Sequence, residues 1–201
     1  MEHHTETERK WIVHLADAEA LKRSASESYD IEQCYFGAEC RVRINRGDIT
    51  NAVISFKVKL SELTRKEYNF PIPVEDAEDL ISRSPLTIVK RRFDIGDGFT
   101  LDEFFNDLYG FHLIEKEYES EEAANNDVVP SHWDFGVIDV TSDDTYKNEQ
   151  LVHLTWDDAI GLFKDDQREI DNSAQIDNND IEHLIKTGDV DDNMPDPLII
   201  R

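Results

Sequence analysis

Cysteine is nearly absent from this chain of 201 residues, with Cys34 and Cys40 the only two, and neither sits in a CxxC or cysteine-histidine pattern. Both are therefore expected to be reduced and structural. Long apolar runs are missing as well: no segment is long enough to span a bilayer, and Met1 to Lys10 carries no hydrophobic leader core. The expected location is cytoplasmic, with no membrane partner. There is no Walker-type loop, Rossmann glycine pattern, nucleophile elbow or internal repeat, so P-loop, dinucleotide and serine-hydrolase chemistries have no support.

Positive charge is scarce too. Lys and Arg number 21 against 45 Asp and Glu, a formal net charge of −24. Such a surface repels phosphate backbones beyond a Debye length of roughly 10 Å at ordinary salt, which argues against generic nucleic-acid binding. Any polyanion site must be a local cationic pocket. The length suffices for one substantial core with a small appendage.

What the sequence does contain is charge in alternation. In Glu6-Thr7-Glu8-Arg9-Lys10-Trp11-Ile12-Val13 two carboxylates and an ammonium fall at every second position, so Glu6, Glu8 and Lys10 share one face of a strand. Carboxylate oxygens suit a divalent cation and lysine suits an anion, the combination needed for metal-assisted phosphate chemistry. A solvated face of an antiparallel sheet would show the same alternation, so recurrence matters more than this one run. Arg41-Val42-Arg43-Ile44 repeats it, as do Ile54 to Leu60 with Lys57 and Lys59 together, Ile88 to Phe93 with Lys90 and Arg92 together, and Leu113 to Tyr118 with Glu115 and Glu117 together. If these faces turn toward a common interior, a closed antiparallel barrel gathers cations around a polyanion and carboxylates around a metal. Such an interior would be a wet, functional cavity, because dry burial of so much charge is costly.

These motifs, in their order, resemble the CYTH superfamily, the triphosphate tunnel metalloenzymes, over about residues 1 to 155. Glu6-Thr7-Glu8-Arg9-Lys10 resembles the ExExK signature, and Gln33-Cys34-Tyr35, Arg41-Val42-Arg43 and Lys57 are similar to the strands that follow it. Arg65-Lys66-Glu67-Tyr68, Ile72-Pro73-Val74-Glu75-Asp76-Ala77, Lys90-Arg91-Arg92-Phe93, Leu101-Asp102-Glu103-Phe104, Glu115-Lys116-Glu117 and Val140-Thr141 through Tyr146 and Asn148 continue the order. Asn69 and Pro71 depart from it, standing where many members alternate further glutamates. The form of the first strand is more like the inorganic triphosphatase and thiamine triphosphatase branch than the cyclase branch.

The resemblance implies an α+β fold, a closed eight-stranded antiparallel barrel with helices packed outside, and Mg²⁺- or Mn²⁺-dependent hydrolysis of a small triphosphate. It implies metal ligation by Glu6, Glu8, Glu115 and Glu117, with Asp102 and Glu67 as further candidates. Phosphate oxygens would be clamped by Arg41, Arg43, Lys57, Lys90 and Arg92, joined by Lys10 and, less centrally, Arg65 and Lys59. Lys10 and Lys90 match the lysines assigned to activating water, on the expectation that neighbouring cations lower their pKa. An adenylyl cyclase on the same barrel and a non-catalytic binder of a phosphorylated nucleotide or polyphosphate are the alternatives. A monomer or homodimer is expected.

Turn and cap chemistry predicts a helix opening at Pro73, a short one over Glu119 to Ala124, a hairpin at Gly96-Asp97-Gly98, and a helix beginning at Thr155-Trp156-Asp157-Asp158. Residues 156 to 201 read as an acidic, partly disordered helical extension, its first helix docked on the barrel or closing one end, with Asp171 to Asn178 as loop and another helix over Asn179 to Lys186.

Overall fold

A computed structural model describes residues 2–128 and 136–174. Strands β1 (Glu2–Val13), β2 (Glu27–Tyr35), β3 (Cys40–Arg46), β4 (Thr50–Lys59), β5 (Thr64–Ile72), β6 (Thr87–Gly96), β7 (Phe99–Phe104) and β8 (His112–Tyr118) form one closed antiparallel barrel. Around the wall the order is β1-β5-β4-β3-β2-β6-β7-β8 and back to β1. Closure rests on the length of β1, whose Glu2–Thr7 half pairs with β5 while Thr7–Ile12 pairs with β8. A short ninth strand, β9 (Val137–Asp139), takes the β1 edge at Trp11–Val13, beyond the reach of β5.

The hairpin at Gly96-Asp97-Gly98 forms as its sequence predicts. Asp97 and Gly98 both have positive φ, 53° and 77°, the conformation a two-residue turn needs to match strand twist. Helix α2 (Val74–Arg83) starts after Pro73 with Glu75 and Asp76 in its first turn, and lays Ala77 and Ile81 on Cys34, Val42, Ile44 and Ala52 of the outer wall. Cys34 and Cys40 are free thiols. Helix α3 (Glu121–Asn126) is capped by Ser120, two residues later than the composition places its start.

Helix α1 (Leu15–Ser24) is unforeseen by the strand-like reading of the N-terminal region. His14 caps it through Ala16, Asp17 sits in the first turn and Lys22 and Arg23 in the last, all favourable to the helix dipole. Ala18 and Leu21 pack on Trp11, Val13, Phe99, Leu101 and Ile114, the outer face of β1, β7 and β8. Helix α2 covers only the Ala52 end of the outer face of β4, and farther along β4 and β5 Phe56, Val58 and Phe70 stay exposed.

One mouth of the barrel is plugged. Ile12, Ile88, Phe104 and Leu113, at the inward positions near that end, join Leu108 and Phe111 of the β7–β8 connection, Tyr146, Leu151 of α4 (Asn148–Leu151), and Phe163 and Ile170 of α5 (Trp156–Ala174). The helix beginning after Thr155 therefore closes an end of the barrel, and it runs through Asp171–Ala174, where acidic composition predicts loop. The reason is burial, since Ile170 is fully buried and Gln167 donates to the Val13 carbonyl at 3.1 Å. Asn179 to Lys186 lies outside the described residues.

A buried carboxyl makes this closure sensitive to pH. Tyr146 donates to Asp166 Oδ1 at 2.5 Å, and Oδ2 has no hydrogen-bond partner. Burial pushes the Asp166 carboxyl up to about 7, Tyr146 opposing and Glu169, Asp165 and Asp143 reinforcing. A folded-state pKa above the unfolded value gives stability that is present below the ordinary Asp range and fades as pH rises through 7. Asp166→Asn should therefore raise unfolding stability at pH 8 by about 1–3 kcal/mol, with the gain shrinking steadily toward the ordinary Asp range near pH 4, as read from urea melts across that span.

Candidate functional site

Strand register decides which charges meet. Residues directly opposite in neighbouring strands share a face, and the barrel pairs Glu6 with Arg65, Glu8 with Glu117, Lys10 with Glu115, Lys57 with Glu67, Gln33 with Arg43 and Arg92 with Asp102. All these faces point inward. Glu6, Glu8, Lys10, Arg41, Arg43, Lys57, Arg65, Arg92, Glu115 and Glu117 line one cavity of about 550 Å³, counting the solvent space at its opening. The solvated-face reading fails in the middle of the lumen, where Lys10 retains 8% exposure and Glu115 4%, while Glu117 toward the strand end is exposed.

Three candidates lie behind this lining. Lys90 and Asp102 are both fully buried and paired with each other, and Asp102 also takes a two-pronged pair of hydrogen bonds from Arg92 at 2.7 and 2.6 Å. Glu67 is clasped by Arg41 and Lys57, each at 3.0 Å. Lys59 sits at the outer rim, paired with Glu62 at 2.8 Å. Asn69 accepts from Ser55 at 2.6 Å, and that serine is within 3.3 Å of Arg41, so the amide supports the wall.

The lumen carboxylates of β1 and β8 are held by cations or face one another. Glu6 meets Lys57 at 2.5 Å, Glu8 meets Lys10 at 2.9 Å, and Glu115 is gripped by Lys10 and Arg92. Gln33 orients the cationic side by accepting from Arg43 Nε at 2.9 Å while donating to the Tyr35 hydroxyl at 2.8 Å.

Burial in so dense a set of charges spreads the titrations widely. Burial is the largest influence on Glu8 and, with Glu115 and Glu6 reinforcing, pushes it up to about 7. It also works against Glu115 ionising, but Lys10, Lys90 and Arg92 overcome it and hold Glu115 well below the usual carboxylate range. Burial, with Arg41 and Arg92 nearby, pulls Arg43 down to about 10. The two lysines differ. Burial brings Lys90 down to about 8 despite Asp102 and Glu115, whereas at Lys10 the attraction of Glu115 and Glu8 exceeds the burial effect and raises the ammonium above its ordinary range. The expectation that neighbouring cations lower Lys10 is thus corrected, because Glu115 of β8 and Glu8 of its own strand both stand beside it.

Sequence reasoning missed several lining groups. Glu39 comes from the β2–β3 connection, while Lys147 is the residue before α4 and Glu149 lies in its first turn, pairing with Arg65 at 3.0 Å. Lys147 stands between Tyr146 and Asn148 of the segment that resembles the family's closing one, and an isolated lysine there has no strand alternation to mark it. Among the described residues no helix is long and apolar enough to cross a membrane.

No protein-family model and no curated protein matches the chain. Among solved structures, it is similar to one described as the hypothetical protein NE1496, at 28% identity over 73% of this chain and 96% of that one, with a TM-score of 0.48. A second structure, described as the inorganic triphosphatase NE1496, gives 27% identity over 73% and 93% of the two chains and a TM-score of 0.46. A third, the putative adenylyl cyclase HpAC1 from Hippeastrum, described as revealing a dominant triphosphatase activity, gives 16% over 60% and 82% and a TM-score of 0.42. The structure has the closed eight-stranded antiparallel barrel with inward ionic faces that the resemblance of its ordered strand signatures to the CYTH superfamily implies.

Proposed function

We propose that the chain hydrolyses a triphosphate, inorganic or on a small organic carrier, inside this lumen with the help of Mg²⁺ or Mn²⁺. The observation that carries the reading is the convergence of Arg41, Arg43, Lys57, Arg65 and Arg92 on the cavity that Glu6, Glu8, Glu115 and Glu117 also line. Phosphoryl transfer asks mainly for positioning and charge neutralisation, and a cage of fixed cations supplies both.

The donor set fits a hard divalent ion. Glu8 and Glu117 stand directly opposite in register with Glu6 two positions along, an all-oxygen set of the kind that binds magnesium through one or two carboxylates together with substrate phosphates. When bound, the ion would neutralise charge on the phosphate oxygens. Asp102 and Glu67 we assign to positioning instead, because their oxygens are engaged by Lys90 and Arg92 and by Arg41 and Lys57. Lys90 belongs with them, holding Asp102 and through it Arg92. Lys10 faces the lumen and is the residue we assign to holding the attacking water and the phosphate against it.

The test is phosphate release from tripolyphosphate, thiamine triphosphate and ATP, each with Mg²⁺ and with Mn²⁺. Release should require the metal, and Arg43→Ala should raise KM about tenfold or more, the loss expected of a charge-assisted contact. Cyclic AMP formed from ATP would assign the cavity to a cyclase, and tight triphosphate binding in calorimetry without release would make it a binding site.

A further inference from the structure

On the opposite side of the barrel wall from Asp102, three potential ligand side chains meet under α1. Glu103 of β7 and His112 of β8 are directly opposite in register and point outward, and Glu19 comes down from α1. One ligand atom of each lies within 4.8 Å of the other two. Glu103 and His112 are buried, at 8% and 5% exposure.

The imidazole shows how the cluster is prepared. His112 Nδ1 lies 3.0 Å from the Gly110 carbonyl oxygen, which can only accept, so Nδ1 carries the proton and Nε2 keeps a lone pair. That Nε2 is buried, has no hydrogen-bond partner, and stands 3.8 Å from Glu103 Oε1. A histidine fixed by its far nitrogen with its near nitrogen free beside two carboxylates has the arrangement of a metal ligand with its outer support in place. Burial, the largest influence on this ring, lowers its pKa and favours the neutral form that binds metals.

We infer that Glu19, Glu103 and His112 form a second cation site, outside the tunnel, for a divalent ion of the zinc class. The mixed nitrogen and oxygen set selects Zn²⁺ over the Mg²⁺ suited to the all-oxygen lumen. Lys22 is the built-in competitor, its ammonium lying 2.5 Å from Glu19 and 2.6 Å from Glu103. A bound ion displaces that ammonium toward solvent and draws the three ligand atoms to roughly 3.3 Å from one another, the spacing around a tetrahedral zinc. Glu19, more exposed and on a single helix, supplies most of that movement. The result is a clasp joining α1 to β7 and β8.

Zn²⁺ alone, titrated by calorimetry into the full chain carrying Glu8→Gln and Glu117→Gln so that the lumen contributes little, tests the site. Adding Lys22→Met should tighten Zn²⁺ binding at least tenfold. Adding Glu19→Gln or His112→Asn to that background should reverse the gain. Zn²⁺ should also raise the melting temperature of the Lys22→Met protein, with no rise once Glu19→Gln is present. An isotherm that Lys22→Met leaves unchanged, or a gain that survives Glu19→Gln, overturns the assignment. If His112→Asn does not fold, Lys22→Met and Glu19→Gln, both on α1, still decide. Lumen activity is not a readout, so failure here leaves the triphosphatase reading to its own assay.

Discussion

Lys10→Met should lower metal-dependent phosphate release about a thousandfold, equivalent to roughly 4 kcal/mol of transition-state stabilisation, with Mn²⁺ binding largely kept. The magnitude follows from position. Lys10 is the cation that β1 projects between Glu8 and Glu115, and it shares the lumen with Arg41, Arg43 and Arg92. Among the described residues no other lumen cation is bonded to both of those carboxylates, so its loss removes the donor best placed between metal ligands and substrate. Steady-state phosphate release against a Mn²⁺ titration of the same variant separates the two roles. Turnover equal to that of the parent would refute the assignment, and loss of metal binding in parallel with turnover would make Lys10 a support of the ligand set alone.

The largest effect on stability is expected at Asp102. This carboxylate is fully buried and serves both Lys90, itself without exposure, and Arg92. Asp102→Asn leaves two cations facing each other without the charge between them, and breaking a buried pair in this way costs about 3–5 kcal/mol. Lys90→Met should cost a similar amount, since Asp102 then keeps only Arg92. The double variant should lose clearly less than the sum, because neither half of the Lys90–Asp102 pair remains buried alone. Urea unfolding of the two single variants and the double decides the matter, and strict additivity would show that the pair is not coupled.

The same carboxylates set the acid limb of stability. Glu115, Asp102 and Glu67 are each held below the ordinary range, Glu67 at about 2, because although burial opposes ionisation the adjoining cations outweigh it. A depressed folded-state pKa contributes stability that is present above the unfolded value and lost as pH falls toward the folded one. Stability should thus decline below about pH 4.5, the opposite slope to that of Asp166 near neutrality.

Much of the wall was legible in the chain because a strand with one apolar and one ionic face has a period of two, and β1, β3, β4, β6 and β8 all show it. Pro73, the Gly96-Asp97-Gly98 turn and the Thr155 cap were legible for a similarly local reason: backbone conformation at those positions is chosen by the residue itself. Helix α1 was not read, since its stripe is only Ala18 and Leu21, and alanine marks a helix face weakly. Asp171–Ala174 were misread because acidic composition describes solvent preference, while the Ile170 side chain and the Gln167 amide, anchored on β1, decide the end of α5.

The sequence by itself determined that ionic side chains would alternate with apolar ones along successive strands, and that cations would have to be concentrated locally in so acidic a protein, because periodicity and net charge are properties of the chain. Only the tertiary structure decided which charges face one another: the register across β1, β8, β7 and β6 put Lys10 between two carboxylates, sank Lys90 and Asp102 behind the lining, and turned Glu103 and His112 outward to meet Glu19. A shift of one residue in any of those pairings would exchange the faces, and no stretch of sequence read alone carries the register of its neighbour.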